Sequence, residues 1–539
     1  MGNFQRSGRA AAVALAVIGA LAAPLGADDA LHRVWAVKDC RVILPAGPPL
    51  EKATIVIRDG LIEAVGTAVA VPADAEVIDG SKLTAFPGLI DGLGKALLKL
   101  PEDKLDMLKF YTGEFTDKDK GLTPEFRAFD YVNLGKAALE KYYKYGLAAA
   151  QVIYDRGILT GRSAFVSLSD TDKNKALFPG RTYMGIGFSP SGVSAYPNSL
   201  MGVQTYLKQV FQDAAYFDGN LSRWLKAPAG IRRPVHSASL EILADYAAGR
   251  KPVVFLCRNQ NDIRRALALA SELKLDYLIC DSGGEAAEAI PELKKAGARV
   301  LCAVTYKVPP ASLYAQKGRA EKERAEKEVY PKNAARLAEA GIPFAFSSLG
   351  TDDPKSFSEG VLKAVEAGLS KDKALAAMTA VPASFFGLDK ALGSIEPGKV
   401  ANIALVEGEL LVKDPKVKVM FTDGRKWEPK DTAGKTGEAP SVNVSGKWEI
   451  EAEGVPKLTV EYVQEGSDLS GKMVTPFGVF EFTGGSVSGA TISHDLTLSV
   501  GGQDIDLFIS GTVEGDVIRG TIVQGAEGSM EYTAKRIPG

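Results

Sequence analysis

Six charged residues lie just beyond predicted strands, and they are the first candidates for chemistry in this sequence. They are Lys95, Asp155, Arg156, Arg258, Asp281 and Glu285. In a barrel of parallel strands, residues in such positions ring the mouth where ligands bind. Most loop charges are merely solvated, so only the whole set predicts a ligand-facing surface. Its ligand-binding candidates are Lys95, Arg156, Arg258 and Glu285.

Two carboxylates are candidates for catalysis. Asp352 follows the predicted strand Phe344–Phe346, and Asp281 follows the predicted strand Tyr277–Ile279. The residue after Asp352 offers a structural alternative, because Asp353 before proline has the form of a helix N-cap. Capping explains these residues without further assumptions, and we favour it over a catalytic aspartate.

Three cysteines fall on three successive predicted strands: Cys257, Cys280 and Cys302. One interpretation is a thiolate metal site or a redox pair at the mouth of a barrel. The other is packing, because cysteine is among the most commonly buried small residues. We favour packing on that ground.

Histidine is scarce. The sequence has three, His32, His236 and His494, and only His236 lies within residues 84–396, where a barrel is predicted. A zinc site needs at least three protein ligands, commonly imidazole. We therefore expect no metal cofactor, although a carboxylate site would take a divalent ion such as magnesium or calcium.

The elements that must position these residues alternate between strands and helices from about residue 250. Pro252–Leu256 is a continuous apolar run, as expected of a parallel strand covered on both faces. Apolar residues at helical spacing follow it, and further strands are predicted at Tyr277–Ile279, Val300–Val304 and Phe344–Phe346. The pattern predicts an α/β fold that closes as a (β/α)8 barrel of the TIM type.

A short apolar stretch, Thr84–Lys95, reads as a buried strand that ends in an exposed loop. Its Pro87-Gly88-Leu89-Ile90-Asp91 resembles the first barrel strand of the amidohydrolase superfamily, which includes imidazolonepropionases and dihydroorotases. The segment Gly393–Leu405 resembles that family's return strand after the barrel. The resemblance covers about residues 34–427 and implies hydrolysis of carbon–nitrogen bonds in amides or cyclic amides.

The resemblance also shows what this sequence lacks. The family's metal ligands include a His-x-His pair on the first strand, histidines on the fifth and sixth strands, and an aspartate after the eighth. These positions fall on Leu93, Lys95, Leu256, Cys280 or Asp281, and Leu349. Gly350-Thr351-Asp352 is similar to the family's Gly-Thr-Asp, displaced by three residues. The insertion Thr116–Phe217 resembles a branch of the superfamily without the usual histidines.

The predicted organisation has six segments. A charged start, an apolar run from Ala10 to Ala23 and a small-residue cleavage site predict a signal peptide at 1–27. Residues 28–83 and 397–427 are predicted to form one composite β-sandwich around the barrel, 84–396. A linker, 428–445, precedes a C-terminal domain, 446–539, whose short alternating runs predict an antiparallel β-barrel or sandwich with Trp448 in its core.

Composition and charge limit the partners. The formal net charge of −2 provides no basic surplus to neutralise phosphates, which argues against nucleic acid. The signal peptide predicts that the protein is exported, periplasmic or extracellular. No membrane span is expected once the signal is removed. Two hypotheses remain open: a catalytically degenerate barrel that binds a small-molecule ligand or a protein partner, and an active hydrolase rebuilt around Asp352 and Asp281.

Overall fold

The computed structural model describes residues 33–44, 47–100, 116–190, 196–305, 329–351, 353–429, 439–452, 457–476, 478–500, 503–524 and 528–537. The predicted signal peptide, residues 430–438 of the predicted linker and Asp352 lie outside the described residues. The chain divides into two compact units after Glu428. None of the helices that the structure describes is both long and apolar enough to span a bilayer.

The first unit contains an eight-stranded sheet built from both ends of its chain segment. Its strands are β1 (Val34–Val42), β2 (Leu50–Arg58), β3 (Leu61–Gly66), β4 (Ala75–Asp79), β5 (Thr84–Pro87), β15 (Ile403–Val406), β16 (Val417–Thr422) and β17 (Arg425–Trp427). The two halves join where β5 pairs with β15, Thr84 opposite Val406. One apolar core serves both halves, as predicted for the composite β-domain.

Two hairpins of this sheet show why its strands turn where they do. Asp59 and Gly60 connect β2 to β3, and both have positive φ, 50° and 78°. Asp423 and Gly424 do the same between β16 and β17, with φ of 50° and 75°. Two successive residues at positive φ form the turn whose twist matches that of paired strands, and Asp-Gly adopts it readily.

The barrel of the first unit has eight strand positions. The strands are β6 (Leu89–Gly94), β7 (Leu147–Val152), β8 (Leu159–Arg162) continuing after one residue as β9 (Ala164–Ser167), β10 (Met184–Gly187), β11 (Val253–Cys257), β12 (Tyr277–Asp281), β13 (Val300–Ala303) and β14 (Phe344–Ser347). Strands β10 to β14 pair in parallel, and β6 pairs in parallel with β7. The ring closes where the Ser347 hydroxyl donates to the Leu93 carbonyl at 2.6 Å.

The predicted barrel is confirmed with one departure, since its third strand is reversed. Strand β9 is antiparallel to β7, and β8 is antiparallel to β10. The connection explains the reversal, because only residues 153–158 separate β7 from β8. A parallel crossover needs a dozen residues or more, whereas an antiparallel return does not.

The helices of the first unit surround the barrel strands. They are α1 (Lys136–Tyr143), α2 (Lys173–Ala176), α3 (Leu200–Lys226), α4 (Ala238–Ala247), α5 (Gln260–Leu273), α6 (Ile290–Ala296), α7 (Asn333–Glu339), α8 (Pro354–Glu366), α9 (Lys371–Ala376) and α10 (Ala380–Phe385). The predicted N-cap of α8 is confirmed: the Asp353 carboxylate accepts a hydrogen bond from Ser356 N at 2.9 Å. Between β12 and β13 the chain forms a 3-10 turn before α6 begins beside Pro291.

The second unit is a closed antiparallel barrel of eight strands in chain order. The strands are β18 (Gly446–Ala452), β19 (Leu458–Glu465), β20 (Asp468–Thr475), β21 (Gly478–Ser488), β22 (Thr491–Val500), β23 (Gln503–Glu514), β24 (Val517–Gln524) and β25 (Gly528–Arg536). Trp448 is fully buried in its core, as predicted, and its indole N–H donates to the Val444 carbonyl at 2.8 Å.

Candidate functional site

Four positions where the resemblance places metal ligands come together inside the α/β barrel, and none of their side chains is charged. Leu93, Leu256 and Leu349 are 1%, 7% and 4% exposed, and they belong to a single buried apolar cluster at the barrel interior. Cys280 belongs to the same cluster and is fully buried. We call these four residues the apolar plug.

The apolar plug does not fit a divalent metal. None of its three leucines has a donor atom, and burial raises the pKa of the Cys280 thiol, which disfavours the thiolate that a metal needs. Lys95 lies outside the plug, where its ammonium pairs with the Asp155 carboxylate at 2.7 Å. Among the described residues, no three His, Cys, Asp or Glu side chains lie close enough together to hold a metal ion.

Asp91 is a buried carboxylate beside the plug that sequence reasoning missed. It accepts hydrogen bonds from Ser348 N at 2.9 Å, from Leu93 N at 3.2 Å and from the Ser348 hydroxyl. Burial raises its pKa to about 6, although these hydrogen bonds act in the opposite direction. Asp91 therefore joins the first barrel strand to the chain that follows the eighth.

The glycine at position 94 was the available signal for Asp91. A Cβ atom at Gly94 would lie 2.6 Å from the Asp91 Oδ2 atom, and it would also overlap the Ser348 hydroxyl. Only glycine leaves room for that pair, so the two glycines after Asp91 reflect close packing at the strand end. The sequence predicted an exposed loop here, and this is wrong, because Gly92 and Gly94 are buried.

Asp281, a catalytic candidate, is fully buried and holds the loop that follows β12. Its carboxylate accepts hydrogen bonds from the N–H groups of Gly284, Glu285 and Ala286 at 3.0, 3.2 and 2.8 Å. Asn333 Nδ2 donates a fourth at 2.9 Å. Burial raises the pKa of Asp281, against the lowering effect of these donors. A carboxylate with this many protein donors is built to hold the loop.

Glu285, a ligand-binding candidate, is also engaged with the backbone. Its Oε2 atom accepts a hydrogen bond from Gln260 N at 2.9 Å, at the first turn of α5. A carboxylate there satisfies a helix N–H group that has no partner within the helix. Glu285 thus connects the end of β12 to the beginning of α5.

The three strand cysteines do not share one site. Cys280 faces the barrel interior, whereas Cys257 and Cys302 belong to the larger apolar cluster that surrounds the strands. Burial raises the pKa of both Cys257 and Cys302, so their thiols are held in the neutral form. These placements support the packing interpretation over a thiolate site.

Two ligand-binding candidates, Arg156 and Arg258, are exposed beyond the ends of their strands. Arg258 lines a cavity of about 360 Å³ next to the ends of β10 and β11. Asp155 lines the same cavity, and through its ion pair it brings Lys95 close to it. The structure therefore brings Arg258 and the Lys95–Asp155 pair together, and it directs Asp281 and Glu285 to the backbone.

The other lining residues give the cavity a mixed character. Phe188 and Leu256 provide apolar surface, while Ser189 and Asn261 provide hydrogen-bonding groups. Asp262 and Arg265 also line it, but they form an ion pair with each other at 2.9 Å. Among the described residues, no carboxylate lies within ion-pair distance of the Arg258 guanidinium. Arg258 is therefore the cation of this cavity that is available to an anionic ligand.

His236, the remaining histidine of the first unit, lies away from these residues. It is exposed, and its Nδ1 atom lies 2.9 Å from the Glu241 Oε1 atom at the beginning of α4. That pairing is local in sequence and involves none of the cavity's residues.

Comparisons with known proteins give one family match and several structural relatives. Residues 288–433 match the model of the amidohydrolase family. The chain is similar to the crystal structure of an amidohydrolase from Thermotoga maritima, at 19% identity and a TM-score of 0.61, covering 73% of this chain and all of that chain. No curated protein matches the sequence.

Two further solved structures are similar at lower TM-scores. An adenosine deaminase from Xanthomonas campestris with bound zinc has 15% identity and a TM-score of 0.43, with 73% of this chain and 92% of that chain covered. A Xaa-Pro dipeptidase has 16% identity and a TM-score of 0.42, with 74% of this chain and 100% of that chain covered.

The Thermotoga maritima structure and the family model agree with the resemblance seen in the sequence. The structural likeness establishes the fold, and the family match supports a function of the hydrolase type. Together they confirm the predicted resemblance, and the chain carries the barrel fold of the amidohydrolase superfamily.

Proposed function

We propose that this chain is an exported amidohydrolase-like protein that binds a small-molecule ligand at the barrel mouth and no longer hydrolyses carbon–nitrogen bonds by its family's metal-dependent route. The observation that carries this proposal is the apolar plug. Leu93, Leu256 and Leu349 occupy positions that would have to supply metal ligands, and they belong to one buried apolar cluster.

The chemistry of the plug opposes hydrolysis by that route. A catalytic metal lowers the pKa of its bound water and polarises the substrate carbonyl, and it needs donor atoms to stay bound. Leucine side chains provide none. An ion placed among them would also lose its hydration without compensation, at a cost of many kcal/mol.

The cavity beside the plug supports binding of a ligand with an anionic group. Arg258 can hold a carboxylate with two parallel hydrogen bonds, because the guanidinium presents its donors in a planar fork. Asn261 and Ser189 can accept or donate further hydrogen bonds, and Phe188 can cover an apolar part. At about 360 Å³ the cavity suits a molecule of modest size.

Calorimetric titration with a panel of small carboxylates tests this proposal. The panel would contain succinate, glutamate and N-acetyl amino acids. We expect at least one to bind, and we expect Arg258→Ala to weaken binding about tenfold or more, since a charge-assisted hydrogen bond contributes about 1.5–3 kcal/mol. Arg264→Ala is the matched control, because Arg264 is paired with Glu292 at 2.8 Å and does not line the cavity.

The rival function is an active hydrolase with a carboxylate site around Asp352 and Asp281. The family match is what favours it. Metal analysis of the dialysed protein and assays with simple amides and cyclic amides separate the two functions. A full equivalent of zinc, manganese or iron, lost together with amidase activity in an Asp352→Ala variant, would overturn the degenerate barrel.

A further inference from the structure

The apolar face of α3 is longer than the core that covers it. Its buried residues, at helical spacing, are Val203, Leu207, Phe211, Ala214 and Phe217. The same face continues with Leu221, Trp224 and Leu225, which lie four, seven and eight residues after Phe217.

Packing on this face stops at Phe217. No residue from 218 to 242 is buried, and Leu225 is 66% exposed. The part of α3 beyond Phe217 comprises nine residues, which extend about 14 Å at the rise of an α-helix. The loop after the helix exposes two more aliphatic side chains, Ile231 at 42% and Val235 at 79%. We call residues 219–235 the basic tip.

The charges of the basic tip have one sign. It contains Arg223, Lys226, Arg232 and Arg233, and residues 219–240 include no Asp or Glu. Among the described residues, no carboxylate lies within ion-pair distance of these four cations. Arg233 places its guanidinium over the Trp224 ring, 5.1 Å from its centre, which joins the loop to the helix end.

We propose that the basic tip binds the surface of a bilayer that contains anionic lipid. Its aliphatic and indole side chains enter the region between headgroups and acyl chains, while the surrounding cations contact the anionic headgroups. An indole beside arginines suits this boundary, where an amphipathic ring meets both media. The tip consists of a helix end and a loop without a buried residue, so its side chains are accessible to a bilayer surface.

Sedimentation with vesicles tests the proposal on the full chain. We expect binding to vesicles of phosphatidylcholine mixed with phosphatidylglycerol, weaker binding at high salt, and little binding to phosphatidylcholine alone. The double variant Arg232→Gln and Arg233→Gln should bind the mixed vesicles about 25-fold less tightly, at about fivefold for each arginine. The matched control changes Lys294 and Lys295 to Gln, two exposed lysines on α6, and should bind like the wild type.

A second readout identifies the inserted residue. Trp224 is one of four tryptophans, and the indole fluorescence should shift to shorter wavelength when the mixed vesicles are added. Trp224→Phe should abolish the shift and retain most of the binding. Absence of wild-type binding at low salt, or equal binding to both kinds of vesicle, would overturn the proposal. The proposal would also be overturned if the wild type formed a dimer in solution and the double variant did not, because the basic tip would then join two copies of the chain.

Discussion

The chain contains two eight-stranded barrels, and their interiors differ in whether they hold a buried histidine. In the α/β barrel, Leu93 and Leu349 lie at positions where the resemblance places metal ligands, and both belong to a buried apolar cluster. In the C-terminal barrel, His494 is 3% exposed and stacks on Phe482, with the ring centres 3.9 Å apart. Its Nε2 atom lies 3.1 Å from the Tyr462 hydroxyl oxygen. His494 is the buried histidine among the described residues, and it packs in the C-terminal barrel, whereas the described interior of the α/β barrel holds no histidine.

The two architectures explain the difference. In the α/β barrel, carboxylates near strand ends can turn to loop and helix N–H groups, as Asp281 and Asp353 do. The described residues of the C-terminal barrel form no helix that covers it, so side chains from its own strands fill the interior. A Cβ atom at Gly485 would lie 2.7 Å from the Cβ atom of His494. That glycine makes room for the imidazole.

The largest effect is expected when the apolar plug receives a charge. Leu349→Asp should lower the free energy of unfolding by about 3–5 kcal/mol, because a buried carboxylate without a partner is costly. Leu349→Met is the matched control and should cost less than about 1.5 kcal/mol. Denaturant unfolding of both variants measures the difference. If the aspartate variant keeps wild-type stability and takes up zinc, the plug is a latent metal site and the comparison fails.

Removal of the Asp281 carboxylate should have the next largest effect. Asp281→Ala leaves the N–H groups of Gly284 and Ala286 and the Asn333 amide without their acceptor, so we expect a loss of about 2–4 kcal/mol in the free energy of unfolding. Asp281→Asn keeps one acceptor oxygen and should lose less. An Asp281→Asn variant that unfolds like the wild type but has lost an amidase activity of the wild type would assign Asp281 to catalysis.

Local rules predicted the elements of both barrels but only part of their interiors. The cap at Asp353 before proline was predicted correctly, because it depends on neighbours in sequence. The Asp59-Gly60 turn likewise depends on adjacent residues. The hydrogen bonds between Asp91 and Ser348 connect residues 257 positions apart, and no short pattern marks them. His494 lies in a strand whose alternation gives the buried face without indicating what its imidazole meets. The reversed third strand depends on the length of one connection, residues 153–158, which no motif marks.

His494 gives the C-terminal barrel a predicted pH dependence. Burial lowers its pKa from 6.5 to about 4, so the unfolded chain binds the proton more tightly than the folded one. The stability that depends on the neutral imidazole is complete above pH 6.5 and is lost as the pH falls towards 4, by about 3 kcal/mol in total. Calorimetry of the full chain between pH 4 and 7 should show this loss, and His494→Gln should reduce it. His236→Gln, a change at an exposed histidine, should leave it unchanged.

Asp91 should give the α/β barrel the opposite dependence. Burial raises its pKa from 3.8 to about 6, so the folded chain binds the proton more tightly. The contribution of protonated Asp91 to the free energy of unfolding is complete below pH 3.8. It is lost as the pH rises through 6, by about 3 kcal/mol in total. The stability difference between wild type and Asp91→Asn should therefore change with pH in that window. Asp414→Asn, at an exposed loop carboxylate, should show no such change. If the stability difference from wild type changed equally with pH in both variants, the prediction would be wrong.

The smallest effect is expected at the cap of α8, where a carboxylate near a strand end meets the solvent. Asp353 accepts hydrogen bonds from Ser356 N and from the Ser356 hydroxyl, both at 2.9 Å. Asp353→Ala should lower the free energy of unfolding by about 1 kcal/mol, because the exposed N–H group can still bind water. Asp353→Asn should lose little stability. Ser356→Ala should lose less than Asp353→Ala, since the hydrogen bond from Ser356 N to Asp353 remains. A loss of stability as large as that of Asp281→Ala would mean that burial does not explain the difference between the two carboxylates. We also expect Asp353→Ala to bind small carboxylates with the affinity of the wild type, because the cap does not line the ligand cavity.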